Sequence, residues 1–430
     1  MLKRVLIITY YWPPSGGSGV QRWLKFAKYL PESGWEPVIF TPENPDFELK
    51  DPSLEKDIHP QTEVIKFPIW EPYNLFRKFK RDSLKDTSKI LESKKPSLID
   101  QLGIWLRANV LVPDPRIFWK KPAVTFLQDL IRQGQFDAII TTGPPHSLHL
   151  IGLDLKRTTG ITWLADFRDP WSQWEFLDTL PMLDFIRKRH QKMEKQVLTK
   201  ADAIVTISPT FQHDLQILAQ RPVHLLTNGY DEGDLPEGFY QTVPHQDRLE
   251  ILYTGVIDAI RNPLPFMDAL KETFGSSTAK VKLRFVGKVS EAVTQAIAQD
   301  PWLREHVSLE GYHAHQEVFR FYQQADLLLL ILTDTKNAQG NIPGKLFEYM
   351  STGRKILALG DPKGDAANIL SSANAGIVFA HQDLKGISGY LGSFEKPSSY
   401  TLSSSITSYS RKNLTSQLAE LLNESTNTFS

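Results

Sequence analysis

The sequence predicts an α/β protein of two domains, each a parallel sheet covered by helices on both faces. Three observations carry this. Short apolar runs at 5–11 and 327–332 suit strands buried on both sides and are too short for a membrane span. Such runs alternate along the whole chain with stretches whose apolar residues recur at helical spacing. At 430 residues the chain exceeds one ordinary core, so two domains of roughly 200 residues are expected.

In the first half a strand at 5–11 leads through a Gly/Ser loop to a helix near 20–32. On that helix Trp23, Phe26, Ala27 and Leu30 share a face. Strands follow near 37–41 and 63–69, and 70–120 reads as irregular and aromatic. The alternation resumes with a helix near 122–133, a strand at 138–142, a helix from His146 and a strand at 161–166. A long helix near 183–200 and strands at 203–207 and 222–227 complete it. The Asn228–Gly229–Tyr230–Asp231 turn marks the boundary, giving domains at 1–227 and 228–405. Second-half strands are expected at 249–254, 281–286, 307–310, 326–332, 355–359 and 376–379. Residues 393–408 read as a Ser/Thr-rich connector, and 406–430 carries a last amphipathic helix.

Composition excludes several functions. Apolar residues make up 41% and charged residues 23%, which is ordinary globular chemistry. With 49 basic and 49 acidic residues there is no global field to attract nucleic acid. No cysteine is present, so there is no disulfide framework or thiolate metal site, which suits a cytoplasmic protein. The amino terminus runs straight into a strand without a signal-peptide pattern, and no apolar stretch reaches transmembrane length. No DxD, HExxH or Cys/His cluster calls for a metal.

The most informative stretch is 340–353, Gly-Asn-Ile-Pro-Gly-Lys-Leu-Phe-Glu-Tyr-Met-Ser-Thr-Gly. It follows the 327–332 strand, with Pro343 and Gly344 opening a helix and Gly353 stopping it. A helix start offers unpaired N–H groups and partial positive charge. Lys345 lies in that first turn, where a cation is unfavourable unless an anion offsets it. Glu348, three residues on, shares its face. Together they read as a nucleotide-diphosphate site: backbone donors and an ammonium for phosphate, a carboxylate for sugar hydroxyls. An ordinary exposed Lys–Glu pair is the competing reading.

Other constellations sit at predicted strand ends. The Ser15-Gly-Gly-Ser-Gly19 loop can bring backbone donors to an anion. It fails as a dinucleotide fingerprint because Arg22 stands where glycine or alanine belongs, which counts against a dehydrogenase. Asp166-Phe-Arg-Asp-Pro-Trp171 places Asp166, Arg168 and Asp169 where such sheets do chemistry. Thr142-Gly-Pro-Pro-His-Ser147 offers His146 for acceptor binding or proton handling and Ser147 as a helix cap. Arg261, in the loop after the 249–254 strand, suits a diphosphate. At 70–85, Tyr73, Phe76 and Phe79 are ringed by Arg77, Lys78, Lys80, Arg81 and Lys85. Such a segment can lie on an anionic membrane or pack as an ordinary helix.

The Pro343-x-Lys345-x-x-Glu348-Tyr349 pattern resembles the donor-binding region of family-4 glycosyltransferases, enzymes of the two-domain Rossmann-like GT-B fold. The resemblance extends in order over nearly the whole chain. It implies metal-independent transfer of a sugar from a nucleotide-diphosphate donor to a saccharide or lipid-linked acceptor, with retention of configuration and without a cofactor. It also implies an active site in the cleft between the domains, and a final helix crossing back to the first domain. By resemblance, Glu348 binds the donor ribose, Arg261 and Lys345 meet the diphosphate, and Gly17 and Gly19 face the donor phosphates or the acceptor. Arg168 could hold an acceptor phosphate or the developing negative charge, and Asp169 or Asp166 could receive the acceptor proton, with Asp169 first. Two departures stand out. Many members carry a glutamate where this chain has Gly340, and an arginine where it has Val256. A nucleotide-sugar epimerase or a non-catalytic nucleotide-sugar binder remain the alternatives.

Overall fold

Apolar side chains alternating between two faces build both sheets of the chain. In the computed structural model, which describes residues 2–47, 49–72, 98–241, 247–258, 260–276 and 280–427, the chain divides into two compact units. One comprises Met1–Thr227 with Arg411–Ser430, the other Asn228–Ser410.

The first unit holds a seven-stranded sheet: β1 (Lys3–Ile8), β2 (Trp35–Pro42), β3 (Glu63–Phe67), β4 (Ala138–Gly143), β5 (Thr162–Phe167), β6 (Ala203–Thr206) and β7 (His224–Leu225). The order is β3-β2-β1-β4-β5-β6-β7, and every pairing is parallel. Val5 and Ile7 of β1 face Trp23 and Phe26 of α1 (Ser18–Tyr29), whereas Leu6 and Ile8 face the opposite core with Trp119. Among the described residues, helices α2 (Leu98–Asn109), α3 (Ile117–Arg132), α4 (Ser147–Thr159), α5 (Asp184–Lys200) and α6 (Pro209–Ala219) cover the sheet. The second unit's sheet runs β10-β9-β8-β11-β12-β13, also parallel throughout. Its strands are β8 (Arg248–Thr254), β9 (Lys280–Val286), β10 (Val307–Gly311), β11 (Leu327–Ile331), β12 (Lys355–Leu359) and β13 (Gly376–Phe379). Its helices are α7 (Leu264–Phe274), α8 (Glu291–Gln299), α9 (Pro301–His306), α10 (His315–Gln324), α11 (Gly344–Ser351), α12 (Asp365–Ser372) and α13 (Leu384–Gly392). The last helix, α14 (Arg411–Asn427), belongs to the first unit, where Leu414, Leu418 and Leu422 join the α1 side of the core.

Strand order fixes where ligands can enter. Connections turn opposite ways from β1 and β4 in the first sheet and from β8 and β11 in the second. Crevices outside the carboxyl ends of strands form at such points.

Two expectations are corrected. The 70–120 stretch is not irregular throughout: α2 and the start of α3 occupy part of it. Helix α6 lies between two expected strands where no helix is expected, although Ser208 accepts from the Phe211 N–H at 3.3 Å and Pro209 opens the first turn, both legible start signals. The 393–408 stretch, read as a connector, joins α13 to α14 and is packed. Tyr400 and Ile406 are buried, and the backbone at Thr401 lies against Gly353, where a Cβ would come within 2.5 Å. Residues 73–97 lie outside the described residues, and with them nearly all of the proposed membrane segment at 70–85. Among the described residues no helix is long and apolar enough to cross a membrane.

Candidate functional site

In the second unit, Lys345 and Glu348 stand on α11, which follows β11. Arg261 stands in the loop after the neighbouring strand β8. Both segments therefore flank the point where the strand order reverses. Pro343 sits at the cap position and Gly344 opens α11, whose start receives no side-chain hydrogen bond. The space beside Gly344 is open, with no atom within 4 Å of a Cβ built there. Lys345 Nζ donates to the Thr254 carbonyl at the end of β8. Burial is the main cause that pulls the Lys345 ammonium down to about 8. Glu348 opposes this shift and the Arg261 charge reinforces it. Arg261 keeps one arm on Asp258, Nη1 to Oδ2 at 2.7 Å, and is half-buried. Two cations thus lie close enough to repel beside an uncapped helix start. That arrangement favours a polyanion.

Gly255 illustrates why a residue without a side chain is needed here. Gly255 has φ +123°, and a Cβ on it would lie 1.8 Å from Lys345 Nζ. Only a residue without a side chain lets the ammonium reach the Thr254 carbonyl.

Glu348 is held on both oxygens. His315 Nε2 contacts Oε2 at 2.9 Å, and the Tyr322 hydroxyl donates to Oε1. Burial pushes this carboxyl up, but His315, the two hydrogen bonds and Lys345 together hold it below the ordinary glutamate range. Behind it, Thr254 Oγ1 is 3.1 Å from both the Tyr322 and Tyr349 hydroxyls, and the Thr254 N–H donates to Tyr349 at 2.8 Å. Sequence reasoning did not single out His315, Tyr322 or Thr254. The signal was present on α10, where His315, Phe319 and Tyr322 fall at helical spacing on one face.

In the first unit the Asp166–Asp169 segment separates into different jobs. Asp166 is fully buried. It accepts from Arg22 through both oxygens, from Trp23 Nε1 at 2.8 Å and from Thr142 Oγ1 at 2.8 Å. A carboxylate so enclosed anchors β5 to α1 and β4. The same pairing explains why Arg22 stands where a fingerprint glycine would be. Arg168 is a clamp as well: its guanidinium donates to the carbonyls of Gly19 (2.9 Å), Pro144 (2.6 Å) and Gly143 (3.3 Å). It ties the first turn of α1 to the end of β4. Asp169 is only partly buried and makes no hydrogen bond or ion pair among the described residues. Burial chiefly raises its carboxyl above the usual aspartate range, with Arg168 opposing and Asp166 adding to the rise.

His146 is buried, stacked on Trp171 at 5.0 Å with an interplanar angle of 4°, and neither ring nitrogen is hydrogen-bonded. Burial, with His149, His190 and Arg168, lowers it well below the usual histidine range, so the ring is neutral at pH 7. Ser147 is not itself the cap of α4: Asp114 accepts from its N–H and its hydroxyl, each at 2.8 Å. Gly17, at φ +86°, is the cap position of α1, and Gly19 lies in its first turn. Both belong to the first unit, whereas Pro343, Gly344, Lys345, Glu348 and Arg261 belong to the second.

Comparison with known families matches both halves. The family model described as "Glycosyltransferase Family 4" matches residues 17–233, and that described as "Glycosyl transferases group 1" matches 248–391. No curated protein matches the sequence. Among solved structures, Anabaena HepE in complex with UDP aligns with a TM-score of 0.62 at 13% identity, covering 98% of this chain and 100% of that one. A sucrose-phosphate synthase from Thermosynechococcus elongatus gives 0.56 at 12%, covering 99% and 97%. WaaG, a glycosyltransferase of lipopolysaccharide biosynthesis, gives 0.54 at 13%, covering 99% of each chain. These structures share the two-sheet architecture with this chain.

Proposed function

Because the chain belongs to glycosyltransferase family 4 and has the GT-B fold, we propose that it moves a sugar from a nucleotide-diphosphate donor to a saccharide or lipid-linked acceptor, retaining configuration. The observation that carries this reading is the end of β8, where Lys345 and Arg261 crowd an uncapped helix start beside a Glu348 held as an anion. The diphosphate lies against the α11 start and the two cations, and the ribose reaches Glu348. As the sugar–phosphate bond breaks, charge grows on the leaving diphosphate. Lys345, Arg261 and the helix dipole stabilise it, in place of a divalent ion. Asp169, partly desolvated and unpaired, is the acceptor-side carboxylate best suited to take a proton.

HepE binds UDP and UDP-glucose in its solved complexes, so uridine donors come first in any screen. WaaG acts in lipopolysaccharide biosynthesis, which supports a cell-surface glycoconjugate as the product class. Attachment to the inner face of a membrane fits the exposed aromatics of the first unit. Trp70 is 51% exposed and meets Phe118 edge-on at 4.8 Å, and Trp105 is 40% exposed on α2.

A thermal-shift panel of UDP, GDP, ADP and their sugars tests the donor reading, since selective binding stabilises the fold. One nucleotide family should raise Tm in the parent and much less in Lys345→Ala. No shift with any nucleotide overturns the reading. Binding without transfer to any acceptor favours the non-catalytic binder, and inversion of the donor sugar without acceptor favours the epimerase. Turnover unchanged by a chelator supports metal independence.

A further inference from the structure

Glu348 sits at the head of a hydrogen-bond chain whose proton directions can be worked out by elimination. A carboxylate only accepts, so the Tyr322 proton points to Oε1. The Tyr322 oxygen then accepts from Thr254 Oγ1, 3.1 Å away. With its proton so used, Thr254 Oγ1 accepts from Tyr349, also at 3.1 Å. The Tyr349 oxygen in turn accepts from the Thr254 N–H at 2.8 Å. All three hydroxyls therefore point one way, toward Glu348, and chains of this kind strengthen cooperatively. On the other oxygen, His315 Nε2 carries the proton that reaches Oε2 at 2.9 Å. The Thr254 carbonyl accepts from Lys345, so one residue ties the diphosphate cation to the ribose carboxylate.

A carboxylate has about four acceptor sites, two on each oxygen. Tyr322 takes one on Oε1 and His315 takes one on Oε2, leaving one open on each. Two adjacent acceptors match the vicinal hydroxyls of a ribose. Resting on the nucleotide-sugar reading above, we propose that Tyr322, Thr254 and His315 are positioning residues that make the site select an intact ribose diol over a deoxyribose. Without them Glu348 gains rotamer freedom and unfilled acceptor sites, and it binds a single hydroxyl or water nearly as well as a diol.

The test compares each of UDP, GDP and ADP with its 2′-deoxy counterpart by isothermal titration, for the parent and for variants. Circular dichroism and Tm check the fold of each. The parent should prefer the ribonucleotide by about tenfold or more, as expected for one hydrogen bond to a charged group. Tyr322→Phe, Thr254→Val and His315→Leu should each bring that ratio within about threefold. His315→Gln, whose amide can still donate to Oε2, should keep most of it. A merely structural role would lower both affinities together and leave the ratio alone. A ratio that survives in the folded variants overturns the proposal, provided Glu348→Gln abolishes it. A ratio that survives in Glu348→Gln itself, or no nucleotide binding at all, instead overturns the ribose reading on which the proposal rests. Should Tyr322→Phe not fold, Thr254→Val and His315→Leu, which remove less, decide the matter.

Discussion

Arg22 and Asp166 form a buried ion pair at the carboxyl end of the first sheet. Arg22 Nη2 lies 2.9 Å from Oδ1 and Nε lies 3.2 Å from Oδ2. Further guanidinium contacts reach the carbonyls of Leu226 and Thr227, each at 2.9 Å. The pair therefore joins α1, β5 and the chain just after β7. Asp166→Asn leaves a buried cation without its counter-charge, and losses of about 3–5 kcal/mol are typical of that change. Urea unfolding should show it as a lower midpoint. A variant as stable as the parent would show that Asp166 does not anchor these segments.

Asp169 gives the opposite expectation. Its carboxylate makes no hydrogen bond or ion pair among the described residues, so Asp169→Asn should leave Tm within a degree or two of the parent. Turnover should fall by about 100-fold or more, the usual scale for removing a general base. Because burial raises this carboxyl, the parent's rate should fall as pH drops through its raised pKa, when the group becomes protonated. Full activity of the asparagine variant would remove Asp169 from the mechanism.

Lys345 sets an alkaline limit. Its ammonium titrates at about 8 in the ligand-free protein, so the cation is present below that pH and lost above it. Nucleotide-diphosphate affinity should therefore fall as pH rises from 7 to 9, approaching about tenfold per unit above the pKa. Lys345→Arg remains charged throughout and should flatten the profile. Isothermal titration at three pH values decides. A parent profile flat to pH 9.5 would show that Lys345 does not meet the phosphates.

Gly255 is a substitution-sensitive glycine of the donor side. A Cβ there would collide with Lys345 Nζ and impose a side chain on φ +123°. Backbone strain of this kind costs about 1–3 kcal/mol. Gly255→Ala should both lower Tm and weaken nucleotide binding by about 100-fold. Binding retained at parent strength would mean that Lys345 works from another position.

The buried histidines predict acid sensitivity. Burial lowers His149 to about 3 and His190 to about 4. Their neutral forms favour the fold above the unfolded value near 6.5, and this stability is lost as pH falls below it. At pH 5 a group like His149 destabilises by about 2 kcal/mol relative to pH 7 and above. Urea unfolding at pH 7 and pH 5 should show the loss, and His149→Gln should reduce it.

Much of the architecture could be read directly from residue patterns. The runs at 5–8 and 327–331 are continuous apolar stretches because both faces of a parallel sheet are covered, and Pro343 and Gly353 bracket α11 through backbone chemistry alone. Lys345 and Glu348 were legible because three residues of helix place them on one face. Helix α6 was missed although Ser208 and Pro209 announce it, since its short apolar pattern is weak beside that of the strands.

The roles within Asp166–Asp169 were not legible. Three charged residues within four positions look alike in sequence, and what separates them is which distant segment each one meets. Asp166 meets Arg22 across 144 positions, Arg168 meets the Gly19 carbonyl across 149, and Asp169 makes no hydrogen bond or ion pair among the described residues. His315 and Tyr322 escaped notice for the same reason, lying 33 and 26 residues from Glu348. Local sequence determines helix, strand and the face on which a side chain stands, because propensity, capping and periodicity act over a few residues. Whether a charge is buried and paired, or desolvated and left open for chemistry, depends on which strand ends the sheet brings together, and only the tertiary structure decides that.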